Sequence, residues 1–233
     1  MTAQPATFAV ISHRGDHPTH RENTLAAIES AMRMGVAAVE IDIQLAGDGS
    51  IAVIHDATTA RLWGDPRPVS AHSAASLAAL GSGDCTIPTL DAVLDLSASY
   101  DIPVILDQKT PEVALAALAL LKKKDLEGRV AFCGELPGLV EVRAHSESTE
   151  IYLNDEGLIT PDIRTLAALR PRAINPHFAG VSWGLIQAAH RFGIKVSCWT
   201  PSSVAELSAM AALGVDMVMT DAPRVALAMT SVS

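Results

Sequence analysis

Residues 37–56 read AAVEIDIQLAGDGSIAVIHD, two apolar runs joined by a short polar turn. The first run predicts a strand over residues 37–44, and the second predicts a strand over residues 50–55. Only the five residues 45–49 separate them, too few for a crossover helix, and they contain a Gly-Asp-Gly turn signal. The stretch therefore predicts an antiparallel hairpin.

The hairpin decides how the other strands are counted. Several predicted strands are continuous apolar runs, which indicates a parallel sheet covered by helices on both faces. The predicted strands cover residues 7–12, 37–44, 50–55, 102–109, 129–133, 150–153, 172–175, 195–199 and 215–219. Without the hairpin strand, eight remain, and each leads to a helix. We therefore expect an α/β fold, a TIM-type (β/α)8 barrel with an extra hairpin strand after strand 2. A doubly wound sheet is the alternative, disfavoured because no glycine-rich phosphate loop follows the first strand.

Capping residues predict where the intervening helices begin. Residues 23–24 (Asn-Thr) can cap the first helix, and Thr-Pro pairs at 110–111 and 160–161 open two more. Residues 203–206 form a capping box of the Ser-x-x-Glu type. Because no Gly/Ser linker divides the chain, we expect one domain over residues 1–233.

The composition limits the function. Among 233 residues, 17 Lys and Arg against 26 Asp and Glu give a net charge of −9. This acidic balance argues against nucleic-acid binding, and no apolar stretch is long enough to predict membrane insertion. We expect no signal peptide. Three scattered cysteines, Cys85, Cys133 and Cys198, indicate reduced thiols, so we expect a cytoplasmic protein.

Two carboxylates in the first hairpin strand carry the strongest functional signal. Glu40 and Asp42 lie two apart in the apolar run VEIDI, so they share one face of a strand. Two carboxylates buried so close together repel each other and need a cation to balance their charge. Oxygen ligands favour a hard divalent ion, Mg²⁺ or Ca²⁺. The alternative is that Glu40 and Asp42 lie on a solvent-facing edge of the strand. A barrel strand would then bury only one of its faces.

Other polar residues follow predicted strands, where barrel enzymes place their reactive groups. His13 and Arg14 end the first strand, and a guanidinium binds phosphate through its planar fork unless it pairs with a nearby glutamate. Asp107 and Lys109 share a face, either as a salt bridge or as a metal ligand beside a phosphate contact. The loop at residues 17–20 holds two histidines, which we expect to be solvated.

Two further candidates, His55 and Trp199, end later strands. Across the hairpin, paired residue numbers should sum to about 95 or 96, which places His55 near Glu40. A hydrogen bond to Asp56 or to the backbone is the alternative for this histidine. Trp199 is either part of the core or a platform for substrate.

Taken in order, these residues resemble the glycerophosphodiester phosphodiesterase (GDPD) family, and the likeness spans nearly the whole chain. The matching segments are His13-Arg14-Gly15, Glu22-Asn23-Thr24, Glu40-x-Asp42, Asp48-Gly49, His55-Asp56, Ile87-Pro88-Thr89-Leu90, Trp199-Thr200 and Thr220-Asp221-x-Pro223. Any single segment would be a weak signal, whereas the ordered set is specific.

The resemblance implies a barrel enzyme that cleaves a small-molecule phosphodiester to an alcohol and a phosphomonoester such as glycerol 3-phosphate. It implies a divalent cation, Mg²⁺ or Ca²⁺, and a pair of histidines acting as acid and base. The implied metal ligands are Glu40, Asp42 and Asp107, and the implied catalytic histidines are His13 and His55. Beside the resemblance, charge and position lead us to expect that Arg14, Lys109 and Trp199 bind substrate. The family's short insertion corresponds to residues 57–86.

Three departures from the family pattern stand out. Asp107 replaces the usual Glu, Arg21 replaces a Pro, and residues 201–202 (Pro-Ser) differ from the usual sequence after Trp199-Thr200. The shorter Asp107 suggests a changed metal position or affinity. The other two departures suggest an altered substrate pocket, with a sugar head group as one option. A phospholipase D-type lyase that forms a cyclic phosphate and a catalytically silent binding barrel are the alternative functions. The substrate alcohol, the preferred ion and the oligomeric state stay open.

Overall fold

The computed structural model describes residues 7–155 and 162–230. Each of the nine predicted strands is present, with ends that differ by a few residues. They are β1 (Ala9–His13), β2 (Ala38–Leu45), β3 (Ile51–Val53), β4 (Val104–Gln108), β5 (Val130–Gly134), β6 (Glu150–Asp155), β7 (Ala173–Pro176), β8 (Lys195–Val196) and β9 (Met217–Thr220).

Eight of these strands are parallel neighbours in the order β8-β7-β6-β5-β4-β2-β1-β9. Backbone hydrogen bonds from Asp216 N to Val196 O at 2.9 Å and from Met219 N to Cys198 O at 2.8 Å bring β9 against the chain at β8. The sheet is thereby nearly closed into a barrel, and the predicted TIM-type fold is confirmed.

The hairpin is also confirmed. Strand β3 pairs antiparallel with β2, with Ile43 opposite Val53 and Leu45 opposite Ile51, so that paired residue numbers sum to 96. The strand is shorter than predicted and ends at Val53, although Ile54 N still donates to Asp42 O at 2.9 Å. His55 therefore leaves the sheet just beyond its last hydrogen bond.

Helices follow the strands and begin at the capping residues that the sequence predicts. Thr24 accepts from Ala27 N, Thr110 accepts from Val113 N, and Ser203 with Glu206 forms the capping box. The helices are α1 (Leu25–Arg33), α2 (Ala60–Trp63), α3 (Ala74–Ala78), α4 (Leu90–Tyr100), α5 (Pro111–Lys124), α6 (Leu136–His145), α7 (Ile163–Leu169), α8 (Trp183–Arg191), α9 (Val204–Leu213) and α10 (Pro223–Thr230). The start predicted at residues 160–161 lies outside the described residues. Within the described ranges, no helix is both long and apolar enough to cross a bilayer.

Side chains alternate between two apolar layers along each barrel strand. Val39, Ile41 and Ile43 of β2 are fully buried against the helices. The other face of β2 points into the barrel, where a second cluster includes Ala38 and Ile105. Glu40 and Asp42 lie on this inner face, nearer the carboxyl end of the strand. The buried location rules out the solvent-facing alternative for the pair.

The segment after β3 packs on a third apolar cluster. Helices α2 and α3, with a short 3-10 helix at Val69–Ala71 between them, lie within the predicted insertion. Their buried apolar side chains join those of the hairpin in one group. Its members are Ala46, Ala52, Ile54, Val69, Leu77 and Ile87. The insertion is thus anchored to the hairpin beside the carboxyl end of the barrel.

A cavity of about 420 Å³ opens at the opposite end of the barrel, between the amino ends of the strands. Small side chains such as Ala9, Ala38 and Ala131 line it and leave the inner layer incompletely filled. None of the polar residues at the carboxyl ends of β1, β2 and β4 borders this cavity.

Candidate active site

Three carboxylates meet inside the barrel at its carboxyl end. β2 lies between β1 and β4, with Glu40 beside His13 and Asp42 beside Asp107 in the register. Glu40 and Asp42 are buried. Burial raises the pKa of Glu40 well above its usual range, and the negative charges of Asp42 and Asp107 raise it further. Burial also raises the pKa of Asp107. The positive charges of Arg14 and Lys109 offset these effects at Glu40 only in part.

Two cations balance the negative charge of Asp42. Lys109 Nζ lies 2.9 Å from Asp42 Oδ1 and 2.7 Å from Asp107 Oδ2, and Arg14 Nε lies 3.1 Å from Asp42 Oδ2. Burial alone would raise the pKa of Asp42, but the charges of Lys109 and Arg14 outweigh it and lower the pKa. The same ion pairs outweigh burial at Lys109 and raise its pKa, so the ammonium stays charged.

Asn23 completes the surroundings of Asp42. Its Nδ2 donates to Asp42 Oδ2 at 2.9 Å, and its Oδ1 accepts from the Asp42 backbone N at 3.2 Å. Asn23 and Arg14 both have left-handed backbones, with φ of 59° and 57°. Such conformations are uncommon for non-glycine residues and concentrate at functional sites. The loop after β1 is therefore shaped to direct both side chains at one carboxylate.

The site offers oxygen atoms that a cation can use. Glu40 Oε1 and Asp107 Oδ1 are buried and have no hydrogen-bond partner among the described residues. Ligand atoms of Glu40, Asp107 and Cys133 lie within 4.8 Å of one another. The donor set fits a divalent cation, since two unpaired buried carboxylate oxygens are costly without one. Asp42 adjoins them, with its oxygens directed at Lys109 and Arg14.

Gly134 explains how Asp107 fits at this position. A Cβ on Gly134 would overlap Asp107 Oδ1 and Gln108 O, and the φ of this residue is +106°. Only glycine leaves room for the carboxylate and accepts this backbone conformation. Strand β5 thus leaves space at Gly134 for the Asp107 carboxylate and places the Cys133 side chain beside the carboxylate cluster. Burial raises the pKa of the Cys133 thiol well above its usual range.

His13 is held by a carboxylate from the far end of the chain. Its Nδ1 lies 2.6 Å from Asp221 Oδ1, and its Nε2 lies 3.8 Å from Glu40 Oε2. His17 Nε2 reaches the same Asp221 oxygen at 2.9 Å, so this loop histidine is not simply solvated as expected. Burial raises the pKa of Asp221, but the hydrogen bonds from both imidazoles outweigh it and lower the pKa.

The His55 ring, like that of His13, is held by a carboxylate. Its Nδ1 lies 2.7 Å from Asp56 Oδ1, the alternative partner that the sequence left open. An electrostatic interaction with His55 is among the causes that lower the pKa of Asp42, so this imidazole lies near the carboxylate cluster. Arg61 Nε donates to Asp56 Oδ2 at 2.6 Å. This hydrogen bond is the largest cause that lowers the pKa of Asp56 to about 2.

Arg61 also connects the insertion to the loop after β1. Its Nη2 donates to Glu22 Oε1 at 2.7 Å, and Arg14 Nη1 donates to the same oxygen at 3.1 Å. The Arg21 guanidinium lies 4.6 Å from the ring centroid of Trp63 in α2, a cation–π contact. The loop residue that departs from the family pattern therefore contacts the insertion.

Trp199 lies across the barrel mouth from Arg61 and the insertion. Its Nε1 donates to Asn175 O at 3.0 Å, and its ring meets the His177 ring edge to face at 5.0 Å between centroids. The indole is partly exposed and fixed in orientation. A fixed, partly exposed aromatic ring can serve as a platform for an organic group.

Comparisons with known proteins agree with this geometry. Residues 13–225 match the glycerophosphoryl diester phosphodiesterase family. The chain belongs to that family. A glycerophosphodiester phosphodiesterase from Caldanaerobacter subterraneus subsp. tengcongensis is 27% identical over 231 residues, covering 92% of this chain and 94% of the relative.

Two solved structures show the same fold at lower identity. An Oleispira antarctica phosphodiesterase, in complex with its product sn-glycerol-3-phosphate, is 24% identical with a TM-score of 0.86, covering 95% of this chain and 96% of that one. A Thermotoga maritima glycerophosphodiester phosphodiesterase is 24% identical with a TM-score of 0.80, covering 94% and 96%. This member of the family is an enzyme, a phosphoric diester hydrolase.

Sequence reasoning gave no role to several residues that shape the site of this phosphodiesterase. Asn23 and Asp221 fall inside the matching motifs, so their positions carried a signal. Arg61 and Cys133 carried none, because an arginine in a surface insertion and a cysteine in an apolar strand have ordinary structural explanations. Their roles depend on contacts between distant segments.

Proposed function

We propose that the enzyme hydrolyses glycerophosphodiesters with a divalent cation and a pair of histidines. One observation carries the proposal: His13 and His55 are each bonded through Nδ1 to a carboxylate, next to the same buried carboxylate cluster. A hydrogen bond at Nδ1 fixes the ring and presents Nε2 as the nitrogen that exchanges protons. Paired imidazoles beside a cation site suit phosphodiester cleavage.

Glu40, Asp42 and Asp107 are the residues that would hold the cation, with Mg²⁺ and Ca²⁺ as candidates. The support is the unpaired oxygens of Glu40 and Asp107 and the raised pKa that burial gives both groups. When bound, the ion neutralises charge on the phosphoryl oxygens. Asp in place of Glu at residue 107 is one methylene shorter, and we expect the preferred ion or its affinity to reflect that difference.

Arg14 and Lys109 supply the protein's own positive charge to the phosphoryl group. Lys109 stays protonated because two carboxylates face it, and Arg14 is fixed by Asp42 and Glu22. Charge that is already oriented before the reaction stabilises the transition state without reorganisation. Both side chains are only partly exposed, so substrate rather than bulk water would meet them.

His13 and His55 exchange one proton each with the reacting oxygens. One imidazole takes the proton of the attacking hydroxyl, and the other gives a proton to the departing alkoxide. Asp221 and Asp56 keep the two rings in the required tautomer and orientation. The attacking hydroxyl belongs either to water or to the neighbouring carbon of the substrate glycerol, in which case a cyclic phosphate forms first.

The alcohol side of the substrate would lie between Trp199 and the insertion. Trp199 offers an aromatic face, whereas Arg21 stacked on Trp63 offers a cation held by an aromatic ring. Both features favour a polar organic head group over a lipid chain. We also infer a cytoplasmic enzyme, since Cys85, Cys133 and Cys198 are all free thiols.

The test is a panel of glycerophosphodiesters and sugar phosphodiesters, assayed on chelator-treated enzyme with and without added Mg²⁺ or Ca²⁺. Phosphorus NMR identifies each product, so a cyclic phosphate is distinguished from glycerol 3-phosphate. We expect turnover only with added ion and a phosphomonoester as the final product. Equal turnover in the presence of excess chelator would contradict the metal requirement, and accumulation of a cyclic phosphate would favour the lyase.

A further inference from the structure

Three polar side chains from separate segments meet at the rim of the barrel. His13 ends β1, His17 lies in the loop that follows, and Asp221 follows β9. His13 Nδ1 lies 2.6 Å and His17 Nε2 lies 2.9 Å from the same oxygen, Asp221 Oδ1. The acid–base chemistry above uses the contact between His13 and Asp221 and gives no role to His17.

The atoms of this cluster are arranged as metal ligands. One ligand atom from each residue lies within 4.8 Å of the other two. The side chains are 19%, 27% and 37% exposed, so an ion from solvent can reach them and water can complete its coordination. Two imidazole nitrogens and one carboxylate oxygen with an open position are a donor set typical of Zn²⁺.

The cluster differs in chemistry from the carboxylates inside the barrel. Glu40 and Asp107 present unpaired carboxylate oxygens, which suit a hard cation such as Mg²⁺ or Ca²⁺. Imidazole nitrogens favour borderline ions such as Zn²⁺, and they bind Mg²⁺ and Ca²⁺ poorly. The two sets of ligands can therefore select different ions at neighbouring positions.

We propose that His13, His17 and Asp221 form a second metal site, which binds Zn²⁺ or a similar transition-metal ion and blocks turnover when occupied. The ion binds His13 Nδ1, His17 Nε2 and a carboxylate oxygen of Asp221. An uncharged imidazole moves its proton from the nitrogen that faces the ion to the other ring nitrogen. A protonated imidazole releases one proton to solvent.

Inhibition follows from the position of the proton on His13. With the ion at Nδ1, the remaining proton sits on Nε2, the nitrogen 3.8 Å from Glu40 Oε2. Nε2 then has no lone pair to accept a proton, and the ring loses its hydrogen bond to Asp221. The inhibition rests on the proposed acid–base role of His13, whereas the binding of the ion does not.

The first experiment measures binding on protein saturated with Mg²⁺, by titration calorimetry with Zn²⁺ and by visible absorption with Co²⁺. The variant is His17→Gln, whose amide can still donate to Asp221 but binds Zn²⁺ poorly. His20→Gln, from the same loop, is the matched control. We expect one Zn²⁺ site in the wild type and in the control, and affinity at least about tenfold weaker in His17→Gln.

The second experiment measures turnover with Mg²⁺ or Ca²⁺ in the presence of increasing Zn²⁺. We expect inhibition of the wild type at the concentrations that fill the site, and unchanged basal turnover with lost inhibition in His17→Gln. Glu40→Gln, examined by calorimetry alone, should keep the Zn²⁺ site.

Three results would overturn the proposal. They are the absence of Zn²⁺ binding to the Mg²⁺-saturated wild type, equal binding in His17→Gln, and binding that Glu40→Gln abolishes while His17→Gln keeps it. If no phosphodiester is turned over, the proposed function fails, and calorimetry still decides whether the site exists.

Discussion

Arg61 Nε, in the short helix α2, donates to Asp56 Oδ2 at 2.6 Å. The same Asp56 carboxylate bonds the His55 ring, so Arg61 fixes His55 through Asp56. The same guanidinium bonds Glu22, which in turn bonds Arg14. One surface arginine therefore restrains two residues of the site, His55 on one side and Arg14 on the other.

Removing this arginine should slow catalysis without unfolding the enzyme. We expect Arg61→Ala to lower kcat by about 10-fold to 100-fold, because His55 and Arg14 lose their fixed positions. Arg61→Lys should recover only part of the loss, since a lysine cannot bond two carboxylates through a planar fork. Arg67→Ala is the control, because Arg67 lies in the same insertion and its side chain pairs only with Asp65 among the described residues.

The two histidines should be separable from the charged groups by kinetics. We expect His13→Ala and His55→Ala each to cut kcat by about 10²–10⁴-fold, and the double variant to show less than the product of the two losses. Arg14→Ala and Lys109→Ala should lower kcat while keeping both limbs of the pH profile. Turnover close to wild type in either histidine variant would leave that residue a structural role only.

Glu40 should destabilise the protein when no cation is bound. Its pKa is raised in the folded state, so the folded protein loses stability as pH rises above the ordinary glutamate pKa. At pH 8 and without metal, Glu40→Gln should therefore melt about 2–4 °C above the wild type. Added Mg²⁺ or Ca²⁺ should raise the Tm of the wild type and leave that of the variant unchanged. Equal Tm values in chelator would contradict the unpaired state of this carboxylate.

Asp56 should contribute stability with the opposite dependence on pH. Its pKa falls from 3.8 to about 2 in the folded state, so its contribution is present above about pH 4 and is lost as pH falls towards 2. Asp56→Asn should lower the free energy of unfolding at pH 6 and converge with the wild type near pH 2. Denaturant titrations across that range measure the difference. Arg61→Ala should reproduce the same dependence, because Arg61 is the main cause of the lowered pKa.

Gly134 offers a test of how tightly β5 is fitted to Asp107. A methyl group there would overlap Asp107 Oδ1, with the backbone at a φ of +106°. We expect Gly134→Ala to lower the free energy of unfolding by about 1–3 kcal/mol and to weaken cation binding. Gly128→Ala is the control, because beyond its chain neighbours no atom of residues 7–155 and 162–230 lies within 4 Å of a Cβ at that position. Cation binding equal to that of the wild type in Gly134→Ala would mean that Asp107 is not a ligand.

The local pattern of the chain predicted those parts of the site that neighbouring strands bring together. Alternation along β2 predicted that Glu40 and Asp42 share one face, and the structure adds Asp107 beside Asp42 from the neighbouring strand. The length of the turn predicted the hairpin and its register. These relationships depend on a few residues of local sequence, and each is present in the structure.

Contacts between distant segments could not be predicted in the same way. His13 and Asp221 are 208 residues apart, and they meet only because β9 pairs with β1 to close the sheet. The sequence predicts a solvated His17, because its carboxylate partner, Asp221, comes from the other end of the chain. The residue roles, the identity of the ion and the extent of the domain stay predictions.

The hairpin has a consequence for the spacing of the two histidines. His13 ends a strand of the barrel, whereas His55 follows a hairpin strand that packs to both sides, with Ile51 and Val53 in the main core and Ala52 and Ile54 in the cluster shared with the insertion. The two proposed catalytic imidazoles are therefore carried by different supports, a barrel strand for His13 and a strand shared between the barrel core and the insertion for His55. Because Ala52 and Ile54 pack in the insertion's cluster, we expect substitutions there to shift His55 relative to His13, and so to change kcat without contacting either ring.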